Sequence, residues 1–256
     1  MKIRVATIAR YTVLEAVRTR LPLHTLVVVA VLIGASFFVR EIAITESARF
    51  QTAFYAATIR YASVFIAALY AIASVAREFQ DKGLEMALAL DLPRSHYILG
   101  KLAGFIVIVA VLATAVSVPL IPLAGWQPAA QWAASLAFEL AIVVALSLFC
   151  VVTFNQLLPA FCFVAAFYVL ARALTAIRLI SAHPIADASA LSHQIMGGFV
   201  EMLAFVIPGL DAWTRTGWLV DQSGSWTAML AIAAHSALFV VLFASAAVFD
   251  MYRRNF

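Results

Sequence analysis

The chain has 256 residues, 65% of them hydrophobic and 12% charged, with a net charge of +4 and a mean hydropathy of +1.00. A soluble domain carries about twice that charged fraction, so the composition excludes an ordinary water-solvated protein and makes lipid the main solvent. The positive balance does not point to nucleic acid, because no basic patch with interleaved aromatics stands outside the apolar runs.

A bilayer core of about 30 Å needs about 20 apolar residues per spanning helix. In chain order, Met1 to Arg20 comes first. It lacks both the apolar core and the small-residue cleavage site of a removable leader, and it predicts an N-terminal interface helix, Ile3 to Arg20, along the inner membrane surface. Six apolar runs follow: Leu21 to Val39, Ala53 to Ala76, Leu102 to Leu123, Trp132 to Thr153, Leu157 to Ile180 and Trp226 to Phe249. None alternates polar and apolar residues as barrel strands do, so the expected fold is all-α, a polytopic membrane protein with six transmembrane helices in a single domain, 1–256. Pro119 and Pro122 are placed to bend or end the third run, while Pro159 falls in the first turn of the fifth, where proline is tolerated. Cys150 and Cys162 lie inside runs and read as packing residues.

Eleven of the seventeen Lys and Arg residues fall on the side of the termini: Lys2, Arg4, Arg10, Arg18, Arg20, Arg77, Lys82, Arg94, Lys101, Arg253 and Arg254. The positive-inside rule therefore predicts cytoplasmic termini and a cytoplasmic segment 77–101 in the cell inner membrane. On the outer side, segment 181–225 contains Phe199 to Val220, apolar enough to suggest a seventh crossing. It carries Glu201, Asp211 and Arg215 and is broken at Pro208-Gly209, and a seventh crossing would put Arg253 and Arg254 outside. The expected form is a re-entrant hairpin of two half-helices joined at Pro208-Gly209, capping the bundle or lining a pathway. A peripheral amphipathic hairpin is the competing reading.

Ionisable residues inside a membrane are costly and need a reason. Glu139, Arg172 and His235 fall at one depth, roughly 12 to 14 Å below the outer surface at 1.5 Å per residue, and Arg60 lies near the same layer. This polar layer reads either as a structural salt bridge between Glu139 and Arg172 or as part of a substrate route. In segment 77–101, Asp81 and Glu85 favour the start of a short helix, Leu84 to about Leu90, with Leu84 and Leu88 on one stripe. Pro93 ends it, and Ser95 is placed to cap the helix that runs through Gly100-Lys101 into the third run. An apolar stripe in an otherwise solvated loop predicts docking to a soluble partner.

The order Arg77-Glu78-Phe79, Lys82-Gly83-Leu84-Glu85, Leu92-Pro93-Arg94-Ser95, Gly100-Lys101 resembles the loop of ATP-binding-cassette type-2 permeases, which read E, K-G-T-x-E, a leucine-rich helix, L-P-x-S-R and G-K. Leu84 stands where Thr is usual, and Arg94-Ser95 replaces Ser-Arg. Ile207-Pro208-Gly209-Leu210-Asp211 is similar to the L-P-N-L-D element of the subgroup associated with multicopper enzyme maturation, with Gly209 in place of Asn. The resemblance implies a permease subunit of an ABC transporter, acting as an exporter, in which Arg77, Glu78, Asp81, Lys82, Gly83, Leu84, Glu85 and Leu88 contact an ATPase. It further implies a second permease copy, most simply as a homodimer, and leaves room for an outer accessory protein. The chain has no G-x-x-x-x-G-K-[ST] phosphate loop, so hydrolysis, with its ATP and Mg, is expected in a separate chain and no catalytic residue in this one. Two rivals remain: a metal-dependent membrane enzyme using His183, Asp187, His193 and Glu201, whose spacing matches no ligand motif, and an ion-coupled transporter, for which internal repeats are not evident. No metal or cofactor is expected in this chain.

Overall fold

The computed structural model describes residues 2–44, 46–80, 93–182, 197–198, 200–203 and 207–253. Those residues are helical throughout apart from short turns, and the main helices are α1 (Lys2–Arg18), α2 (Leu21–Ile42), α3 (Ser47–Gln80), α4 (Arg94–Ser117), α5 (Trp126–Phe154), α6 (Leu157–Ala182) and α7 (Trp226–Arg253). Helices α2 to α7 are long and apolar enough to cross a membrane, which makes the chain a multi-pass membrane protein. Segment 81–92 lies outside the described residues, and with it the expected short helix and Asp81, Lys82, Gly83, Leu84, Glu85 and Leu88. His183, Asp187, His193 and Arg254 lie outside them as well.

Helix α5 is the centre of the bundle. It packs against α3, α4, α6 and α7, and its run from Leu140 to Leu148 is buried throughout. A helix apolar on every face satisfies its surroundings only when neighbours cover it all round, and α5 takes that position. Gly125, with φ of 92°, supplies the turn that starts α5, and Asn155 ends it in the left-handed conformation that Asn tolerates, its N–H donating to the Val151 carbonyl at 3.0 Å. The side of α3 turned to its neighbours is rich in small residues, Ala67, Ala68, Ala71, Ser74 and Ala76, which lets backbones approach closely. Helix α2 rests mainly on α3 and leaves most of its apolar surface exposed, as do α6 and α7.

Pro119 and Pro122 act as expected. Helix α4 ends at Ser117 and gives way to a 3-10 turn, Val118–Leu120, and a single helical turn, Ile121–Ala124. Ser95 does not cap α4: the capping position is Pro93, with no side-chain bond, and Ser95 sits inside the first turn. Cys150 is buried, whereas Cys162 faces outward from α6.

Helix α1 is docked on α4. A Cβ at Gly100 would lie 2.7 Å from the Ile8 Cβ, and one at Gly104 would lie 2.7 Å from the Thr12 Cβ and 3.0 Å from the Ala9 carbonyl. The offset is 92 residues at both contacts, so α1 and α4 run side by side in the same direction. The spacing Gly100-x-x-x-Gly104 is the small-residue groove that brings two helices into backbone contact. The direction of α1 is thus set by α4. Arg94 at the start of α4 donates from Nη1 to the Met251 carbonyl of α7 at 2.9 Å, which places the end of α7 on the same face as the start of α4 and the end of α3.

Candidate functional site

Among the described residues two polar clusters interrupt the apolar bundle. The deeper one is built around Glu139, fully buried thirteen residues into α5. Its Oε1 accepts from Tyr168 Oη at 2.8 Å and faces Arg172 Nη1 at 3.4 Å, and its Oε2 accepts from the Thr214 hydroxyl. Arg172 Nη1 also donates to the carbonyls of Leu210 at 2.6 Å and Trp213 at 3.2 Å. From α3, Arg60 Nη1 donates to the Thr214 carbonyl at 2.9 Å, and from α5, Ser135 Oγ accepts from the Thr214 N–H at 2.8 Å.

Every polar group of Thr214 is therefore bonded to a different side chain. Its φ is 49°, a left-handed backbone that a β-branched residue adopts only when its surroundings impose it. Tertiary bonds hold Ile207 to Thr214 in the place of a helix's own ladder: at and just beyond the 3-10 turn Leu210–Ala212, the carbonyls of Leu210 and Trp213 are taken by Arg172 and that of Thr214 by Arg60. A carboxylate beside them offsets arginine charge, and Tyr61 on α3 meets Tyr168 on α6 edge to face, centroids 6.0 Å apart.

Of the four residues expected in one layer, Arg60, Glu139 and Arg172 are brought together and His235 is not. His235 is exposed on α7, and its Nδ1 lies 2.8 Å from the Ala231 carbonyl of its own helix. Its neighbour Ser236 faces inward and donates to the Phe138 carbonyl at 2.9 Å. Pro208 is buried, Gly209 precedes the 3-10 turn with a φ of −73° that any residue adopts, and Asp211 is half-buried with one carboxylate oxygen enclosed and without a partner among the described residues. Glu201 is exposed.

The second cluster joins α1, α3 and α4 on the face where α3 ends. Lys101, 3% exposed, pairs with Glu78 and lies 3.4 Å from Glu15 Oε2 and 3.3 Å from Ser74 Oγ. Tyr97 Oη donates to Glu78, Ser74 Oγ donates to Glu15 at 2.9 Å, and Arg77 reaches Glu15 at 3.4 Å. Arg77 and Glu78, expected to face a partner, spend part of their charge inside the chain. Among the described residues no group of three His, Cys, Asp or Glu is placed to hold a metal ion.

Ser135, Tyr168 and Thr214 in the deep cluster, and Glu15, Ser74 and Tyr97 in the other, are absent from the sequence expectation. Most carried a signal. Ser135 with Glu139, Tyr168 with Arg172, Ser74 with Glu78 and Tyr97 with Lys101 are each four residues apart, on one helix face. Thr214 and Glu15 have no such companion. No protein-family model matches the chain, and no curated protein matches it.

Proposed function

We propose that the chain is the permease subunit of an ATP-binding-cassette transporter of the type-2 design, an exporter in the inner membrane with both termini in the cytoplasm. The observation that carries the reading is the ordered run from Arg77 to Lys101, placed between the second and third of six candidate spans. The linkage across that run supports it. Glu78 at the end of α3 and Lys101 and Tyr97 in α4 form one bonded unit, and Glu15 adds α1 to it. A push delivered to segment 77–101 would reach two spans and α1 together, and ATP binding shifts a permease between forms only if the ATPase contacts those forms differently.

In this reading α1 lies at the cytoplasmic membrane boundary, docked on α4. Segment 207–214 is the re-entrant part of the outer hairpin, its backbone covered by protein as irregular structure at membrane depth requires. A separate ATPase supplies hydrolysis, ATP and Mg, and a second permease copy supplies the other half of a two-fold assembly.

The test is purification of the tagged full chain from its native membranes in mild detergent. A co-purifying chain with a phosphate-loop motif is the expected result, and it should be lost when segment 81–92 is replaced by a Gly-Ser linker while the six-helix protein still elutes as a single species. A chain that purifies without any ATPase and drives substrate movement with an ion gradient overturns the proposal.

A further inference from the structure

The deep cluster holds more positive charge than its own bonds neutralise. Arg60 and Arg172 share one carboxylate, Glu139, around segment 207–214, and Asp211, the acid of that segment, forms no ion pair among the described residues. Every bond of Arg172 is made by Nη1, to Glu139, Leu210 and Trp213. Its Nε and Nη2 have no partner among the described residues and reach the surface: the side chain is 13% exposed, and of the two arginines only Arg60 has a nitrogen that is both enclosed and unpartnered. Nε and Nη2 form one edge of the planar guanidinium, two parallel N–H donors spaced for two oxygens of a carboxylate or a phosphate.

That edge opens where water is scarce. Arg172 is fifteen residues from the start of α6 at Leu157 and ten from its end at Ala182, about 22 and 15 Å along the axis, and Glu139 is about 20 Å from Trp126 at the start of α5. A bilayer core is about 30 Å thick, so the edge lies in its middle part. A charged donor facing bare hydrocarbon is highly unfavourable there, and such groups face protein, water or a ligand. The surface beside it is aromatic. Tyr168, one turn before Arg172, meets Tyr61 at 6.0 Å and Phe65 at 6.5 Å between ring centroids, and Phe65 meets Phe161 at 6.2 Å. Tyr61 is 39% exposed, and the Arg60 guanidinium lies 4.9 Å from its ring centroid. An amphiphile already dissolved in the bilayer can reach such a place, whereas a small ion would have to shed its hydration shell.

We propose that the Nε–Nη2 edge of Arg172 binds the acidic group of an amphiphile, a carboxylate or a phosphate, whose hydrocarbon body lies along Tyr61 and Phe65 in the seam between α3 and α6. Naming that ligand as the exported substrate rests on the permease reading; the site itself does not, and it is tested without nucleotide. Arg172→Lys separates the ligand role from the structural one. An ammonium at the place of Nη1 has three donors for Glu139 and the Leu210 and Trp213 carbonyls and leaves no second edge. The full-length protein in phosphatidylcholine nanodiscs is titrated with radiolabelled oleate, with oleyl alcohol as the neutral counterpart and acetate and inorganic phosphate as water-borne competitors. Saturable binding of oleate over oleyl alcohol is expected, undisturbed by equal concentrations of acetate or phosphate, and weaker by on the order of tenfold in an Arg172→Lys protein that elutes and melts as the parent does. Equal or no binding of oleate and its alcohol overturns the proposal, as does displacement by acetate or phosphate, and as does unchanged binding in Arg172→Lys. Should Arg172→Lys fail to fold, photolabelling of the parent protein by a diazirine fatty acid decides: oleate-protected labels near Tyr61 and Arg172 support the site, and labels confined to other helices overturn it. Oleate binding of this kind in a protein that purifies without an ATPase would sink the permease reading and leave the site standing.

Discussion

The two polar clusters solve different problems with the same side-chain types. Around Lys101 the members are all side chains, two acids and two bases on three helices, and Glu15 and Glu78 are each about 30% exposed. Around Glu139 a single carboxylate is fully buried, and the two arginines spend their donors mainly on backbone carbonyls of segment 207–214. Water reaches the two acids of the first cluster and screens them, while the enclosed carboxylate of the second depends wholly on its protein partners. The first cluster ties three helices to one another through side chains, and the second fixes a segment that has no ladder of its own.

The largest effect tests the rigid side of that contrast. Glu139→Ala leaves the mostly enclosed Arg172 without its counter-charge and should cost about 3–5 kcal/mol; a thermal unfolding or monodispersity assay in detergent would read it. Exchanging Glu139 and Arg172 should not restore the protein, because a carboxylate at 172 faces the Leu210 and Trp213 carbonyls that the guanidinium now satisfies. Recovery in the double exchange would reduce the cluster to a simple pair.

Lys101→Met should cost less, about 1.5–3 kcal/mol, because water can reach the carboxylates it leaves behind. Its larger consequence is expected in coupling, read as ATPase activity no longer tied to transport. Since Glu78 is already bonded to Lys101 and Tyr97, charge reversal there damages the internal cluster as well as any partner contact. Glu85→Lys is the cleaner probe of ATPase docking, and normal assembly and coupled turnover in that variant would count against the proposed role of segment 77–101.

Gly104→Val should displace α1, since its first side-chain carbon meets the Ala9 backbone and the Thr12 Cβ. Overpacking of this kind costs about 1–3 kcal/mol, and cysteine cross-linking between α1 and α4 would report the separation. The smallest net change is expected at Thr214. Thr214→Gly loses the bond to Glu139 but relieves the left-handed backbone, two terms of about 1–3 kcal/mol each that oppose one another. Thr214→Val keeps the strained backbone and loses the bond, so it should be the less stable of the two; the reverse order in a melting experiment would show that the φ of 49° carries no strain.

The six spans are legible in the amino-acid sequence because bilayer thickness dictates their length, and the proline-marked end of α4 follows from proline's missing N–H. Depth is legible too, which is why Arg60, Glu139 and Arg172 share a layer on paper as they do in space. Azimuth is not. Successive residues on a helix point about 100° apart, so His235 and Ser236 have almost the same depth and opposite fates, one outward and one against Phe138. Which of the two faces inward depends on how α7 rolls against α5, a matter of packing rather than of composition.

The amino-acid sequence alone determined an all-helical chain with six lipid-length segments, a basic side and a charged segment between the second and third spans, because hydropathy and charge act locally and need no partner. Only the tertiary structure decided that α1 lies in the Gly100 and Gly104 groove, that Glu15 joins Lys101, and that Thr214 closes the buried cluster. Those contacts bring together residues tens of positions apart, and nothing in either local stretch specifies its distant neighbour until the helices have packed.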